Sequence, residues 1–188
     1  MMRWWYAGGL LSLVACRHRP PESPATQPVA PCPEQTLTSA EVADTSRQGL
    51  VTVDTNRMGD HHSIASLEAG LPMLKTAALH GDVTAMTRYA SLVNWYGFID
   101  NDGEPFLGRS QWESAHESLL FTILAAHGGS PIPVDDQETF RVLLDPAEPF
   151  PSGFLDDDGD AWLVRGWPPE SVDQVRRQAY QWRDCWAE

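Results

Sequence analysis

Residues 77–96 read AALHGDVTAMTRYASLVNWY, two stretches with apolar periodicity separated by one break, His80-Gly81-Asp82. Glycine adopts left-handed backbone without a Cβ penalty and so ends a helix at such a place. An aspartate directly after it can accept the free N–H groups of a second helix. Upstream, Leu67, Leu71, Leu74 and Ala78 recur at helical spacing, and downstream Met86, Tyr89, Val93 and Tyr96 share one face. The stretch predicts an antiparallel helix pair, and the chain a mainly α, compact helix-pair domain with long loops and no substantial sheet. Pro72 fits only a first turn, which puts the start of the upstream helix near Gly70.

Ala77, Ala78, Gly81, Asp82 and Ala85 follow in order the pattern Ala-Ala-x-x-Gly-Asp-x-x-Ala of the Sel1-like repeat, a relative of the tetratricopeptide repeat, and the stretch resembles one such unit. It departs from the family further on, where Tyr89 and Ala90 stand in place of Leu-Gly and Val93 replaces a tyrosine. A shorter echo, Ala125-Ala126-His127-Gly128, follows at a spacing of 48 residues. The resemblance implies helices that approach closely through alanines and act by protein binding. A solenoid needs three or more repeats, so a compact domain is the expectation.

Around this pair, Ser110 and Glu113 form a capping box ahead of a helix carrying Trp112, Leu119, Leu120, Ile123 and Leu124, which ends at Gly128-Gly129. A shorter helix is predicted from Asp135 and Glu138 through Phe140, Leu143 and Leu144. The last runs from Ser171 to Trp186 with Val172, Val175, Ala179, Trp182 and Trp186 on one stripe. Before the pair, residues 38–48 read as a short helix, LVTVDT at 50–55 as an extended segment lying on helices, and 56–63 as a turn.

The chain opens MMRWWYAGGLLSLVAC, with Arg3 as a positive start, a short apolar run to Val14 and the small Ala15 before Cys16. The run is too short to span a bilayer, which takes about 20 apolar residues. Leu13-Val14-Ala15-Cys16 resembles the lipobox of bacterial lipoproteins. That resemblance implies a signal peptide over 1–15, lipidation of Cys16, and a lipid-anchored protein of the bacterial cell envelope. Arg17, rather than aspartate, follows the cysteine, and the same resemblance implies the outer membrane. Residues 16–34 then form a proline-rich tether with six prolines between Arg19 and Glu34, extended because it has little to bury. The helical domain occupies 35–188.

The chain holds three cysteines. With Cys16 lipidated, Cys32 and Cys185 are left to bond to each other in an oxidising compartment, the other outcome being two free thiols. Formal charge is −13, and −14 once Arg3 leaves with the signal. That balance excludes nucleic acid as a partner, because phosphate binding needs a basic surface, and it favours a basic protein partner.

Two acidic stretches carry calcium-type chemistry: Asp100 and Asp102 before Gly103, and Asp156, Asp158 and Asp160 around Gly159. Neither keeps EF-hand spacing, since Gln111 and Trp167 stand at the twelfth positions. Glu113 and His116 make one Glu-x-x-His unit with no second copy. His116-Glu117 begins like a zincin helix, but Leu120 replaces the second histidine. Asp60-His61-His62 would need further ligands for a metal. No nucleophile elbow or phosphate-cradling glycine loop is present, and no cofactor is expected. Trp162 and Trp167, beside the second acidic stretch, form a candidate partner-binding surface. The expected function is a non-enzymatic adaptor or immunity-type lipoprotein. The alternative is a calcium- or zinc-dependent envelope hydrolase, or a glycan-binding protein, using the acidic loops.

Overall fold

The computed structural model describes residues 30–55, 57, 61–96, 111–130, 144–145 and 169–186. Among them are five helices: α1 (Ser39–Asp54), α2 (Ile64–Leu79), α3 (Val83–Tyr96), α4 (Gln111–His127) and α5 (Pro169–Trp186). They pack as successive neighbours, α1 on α2, α2 on α3, α3 on α4 and α4 on α5. Among the described residues the fold is mainly α with no sheet, as the periodicity predicts. None of the described helices is long and apolar enough to cross a membrane.

The α2–α3 turn is built as its sequence implies. Gly81 has φ +89°, and the N–H groups of Gly81 and Asp82 donate to the carbonyls of Ala78 and Ala77, which closes a Schellman motif. Asp82 Oδ1 accepts the N–H of Ala85 at 2.6 Å, so the same short loop starts α3. The motif recurs at the end of α4, where Gly129 has φ +89° and Ser130 and Gly129 donate to Ala125 and Ala126. Ala77, Ala78 and Ala85 are fully buried.

Two expectations are overturned. LVTVDT at 50–55 is not extended, because α1 runs on through Asp54. Its buried positions, Val42, Ser46, Gly49 and Val53, keep helical spacing, and packing that stripe on α2 outweighs the strand preference of two valines and two threonines. The α2 start is also earlier than Gly70: Ser63 caps it, its hydroxyl accepting the N–H of Ser66, and Pro72 lies inside the helix. Pro72 removes one helical hydrogen bond, but both it and Glu68, whose carbonyl loses that donor, are exposed to water. At the other end of the chain α5 begins at Pro169, ahead of the predicted Ser171. The helix expected over 135–144 lies outside the described residues except for Leu144, which sits in a turn.

The α1–α2 crossing depends on glycine. A Cβ on Gly70 would sit 2.4 Å from Val53 Cγ1, and one on Gly49 would sit 3.0 Å from Leu74. The core then continues through Leu67, Leu74, Met86, Tyr89, Leu119, Ile123 and Val172. Tyr89 meets Phe121 edge-on at 5.3 Å, Phe121 lies 6.4 Å from Trp182, and Trp182 lies 6.4 Å from Trp186. The stripe predicted for the last helix supplies Trp182 and Trp186 to this run, and its other members, Val172, Val175 and Ala179, are buried.

Candidate functional site

Three chain segments meet at one end of the bundle. A Cβ on Gly128, after α4, would press on Val83 at the start of α3. A Cβ on Gly81 would lie 3.9 Å from the ring of Trp186 at the end of α5. The α2–α3 turn and the C-termini of α4 and α5 are thus together, and here the N-terminal segment docks.

That segment, Ala30 to Thr36, has no regular secondary structure. Cys32 and Cys185 form a disulfide-distance pair with Cα atoms 6.3 Å apart, across a sequence separation of 153. The Trp182 indole N–H is shared between the carbonyls of Ala30 at 3.3 Å and Pro31 at 3.0 Å. Gln35 Nε2 donates to the Leu79 carbonyl at 3.1 Å, and the Thr36 N–H donates to His80 Nε2 at 3.2 Å. His80 Nδ1 faces the Thr76 carbonyl at 2.8 Å, which assigns the proton to Nδ1 and leaves Nε2 as the acceptor.

Each of these bonds is worth about 1 kcal/mol net, whereas ordering one backbone residue costs about 1–2 kcal/mol. The covalent link therefore decides whether the segment stays. Closing so long a loop contributes about 5 kcal/mol in the chain-entropy model.

Beside it, His127 meets Tyr180 edge-on at 5.0 Å, and the Arg183 guanidinium lies 4.9 Å over the Tyr180 ring. Burial lowers the His127 pKa, and the Arg183 charge lowers it further against an opposing pull from Asp184. Its Nε2 is buried with no hydrogen-bond partner among the described residues, as is the indole Nε1 of Trp186. Burial raises the Tyr180 pKa, and its hydroxyl donates to the Leu144 carbonyl.

Two other polar clusters join helices and were not legible as motifs. Lys75 Nζ lies 2.6 Å from Glu117 Oε1, and the Tyr89 hydroxyl donates to Glu117 Oε2, linking α2, α3 and α4. Arg88 donates to Asp54 Oδ1 at 2.8 Å and faces His62 Nε2 at 3.4 Å, while His62 Nδ1 lies 2.7 Å from the Val53 carbonyl. Apart from His62 and Val53, 9 residues apart, the bonded pairs stand 26 to 42 residues apart in sequence, so no local pattern announces them.

Of the residues singled out from sequence, the structure brings together Cys32 and Cys185 and seats Trp182, 8% exposed, at the edge of the core. Cys16, Asp100, Asp102, Asp156, Asp158, Asp160, Trp162 and Trp167 lie outside the described residues. His62 is engaged with backbone and Arg88. His116 is largely buried, which lowers its pKa against an opposing pull from Glu117. Among the described residues no three His, Cys, Asp or Glu side chains gather as a metal site. No protein-family model, curated protein or solved structure matches the chain.

Proposed function

We propose that the chain is a lipid-anchored protein of the bacterial envelope, with Cys16 acylated, and that it acts as a non-enzymatic protein-binding module of adaptor or immunity type. The observation that carries this reading is the placement of Cys32 beside Cys185. It leaves Cys16, in the lipobox-like Leu13-Val14-Ala15-Cys16, as the remaining one of three cysteines. A bridge of that kind persists in an oxidising compartment such as the periplasm, which agrees with an export signal. Multiple acyl chains anchor stably where a single one is marginal.

The binding role is supported by how the polar side chains are used. Glu117 serves Lys75 and Tyr89, Asp82 caps α3, and His80 holds the N-terminal segment. They join elements of a scaffold. We read the α2–α3 hairpin, with its buried alanines and Gly81-Asp82 turn, as Sel1-like and so as a partner-presenting unit. The formal charge of −13 favours a cationic partner.

Crosslinking in cells followed by pull-down of the mature protein tests the role, with recovery of a specific basic protein as the expected result. Recovery of no specific partner overturns it. Cys16→Ser tests the anchor: the variant moves to the soluble envelope fraction, and retention in the membrane fraction would count against lipidation.

A further inference from the structure

We propose that the Trp182 face of α5 is a docking surface for an extended, proline-containing segment, filled in cis by Ala30–Thr36 of this chain, and that the Cys32–Cys185 pair is a redox latch holding that segment in place. Proline-rich segments are recognised on aromatic surfaces because their backbone is already extended and its carbonyls are free to accept. The arrangement here has those parts. The segment reads Ala30-Pro31-Cys32-Pro33, and the Trp182 indole N–H donates to the carbonyls of its first two residues. Next to it, the buried Trp186 indole N–H has no acceptor among the described residues, so the face keeps a donor that the docked segment does not use.

The latch is open to chemistry at one sulfur, since Cys32 is exposed while Cys185 is half-buried. A dithiol reductant of the thiol–disulfide exchange class attacks Cys32 Sγ as the thiolate, and Cys185 leaves as a thiolate. The second reductant thiol then resolves the mixed disulfide. Two electrons and two protons pass to the protein, leaving Cys32 and Cys185 as thiols and the reductant as a disulfide. Freed of the link, Ala30–Thr36 lifts away and uncovers Trp182. The latch works whether or not Cys16 carries lipid, so its failure and that of the envelope reading are separable.

The test uses the full chain purified with Cys16→Ser, oxidised or held in excess dithiothreitol. On reduction, the Thr36 amide loses its hydrogen-exchange protection and acrylamide quenching of tryptophan rises, while far-UV circular dichroism keeps its helical signal. A polyproline decapeptide, already extended where residues 30–36, once freed, are not, then binds the reduced protein and not the oxidised one. Trp182→Phe, which keeps a ring and removes the N–H, weakens that binding roughly fivefold. Continued protection of Thr36 after reduction overturns the latch, as does loss of the helical signal. Equal binding of the peptide to both forms, or to neither, overturns the docking surface.

Discussion

Ser46 on α1 donates its hydroxyl proton to Asp82 Oδ1 at 3.0 Å, the same oxygen that accepts the Ala85 N–H to start α3. One carboxylate oxygen therefore caps a helix and ties it to another two elements away in sequence. Asp82→Ala loses both bonds and is expected to cost about 1–2 kcal/mol. Asp82→Asn keeps a capping oxygen and recovers most of that. Ser46→Ala loses only the tie. Urea unfolding of the three variants checks the order.

Gly70→Ala puts a methyl against Val53 at a crossing that has no room for it. Overpacking of this kind costs about 1–3 kcal/mol, offset by up to about 1 kcal/mol of helix propensity. A lowered melting temperature is expected. Val53→Ala in the Gly70→Ala background removes the Cγ1 contact and leaves the tighter fit against the Val53 and Gly49 backbone, so the double variant is less destabilised than the sum of the two singles.

Glu117→Ala withdraws an acceptor from the buried Tyr89 and the ion partner from Lys75. Lys75→Ala withdraws only a charge whose side chain is 39% exposed. A half-exposed pair is worth about 0–1 kcal/mol, whereas depriving a buried donor costs about 1–3 kcal/mol. Glu117→Ala is thus expected to be the more damaging in thermal unfolding, and Tyr89→Phe, which keeps the contact with Phe121, to fall between.

Acid destabilises the fold through two histidines. Burial holds His116 below its ordinary 6.5, and burial with Arg183 does the same for His127. As pH falls through 6.5 the unfolded chain takes up these protons and the folded chain does not, so stability drops until the folded values are reached. Glu41, whose carboxylate is lowered first by the Thr38 backbone N–H, acts in a window below 4.5. Melting temperature is expected to fall from pH 7 to pH 5. In the double variant His116→Gln, His127→Gln the fall is shallower. An unchanged slope would remove these two groups from the account.

Punctuation residues made much of the fold readable. Gly81-Asp82 and Gly128-Gly129 mark helix ends by backbone chemistry that needs no tertiary partner, and the α5 stripe is a long periodic signal. Thr38 and Glu41 form a reciprocal capping box at the start of α1, local chemistry that the reading of 38–48 as a helix does not use. The extended reading of LVTVDT failed because Val53 belongs to the stripe Val42, Ser46, Gly49 and Val53, whose two middle members do not register as apolar periodicity. Pro72 misplaced the start of α2 because exposure, which makes an internal proline tolerable, is not a local property. At the candidate site, cysteine parity pointed to Cys32 and Cys185. The Trp182 bonds to Ala30 and Pro31 span 152 and 151 residues, and no pattern along the chain carries that information.

The sulfur pair also sets the path of mechanical load. A pull arriving from the Cys16 side reaches Cys32 and crosses to Cys185, in the last turn of α5, before it reaches α1. The helices between those points are shielded from tension while the link holds. A pull between the two chain ends is carried by the sulfurs, and α1, though nearest to Cys32 in sequence, feels it only after they part.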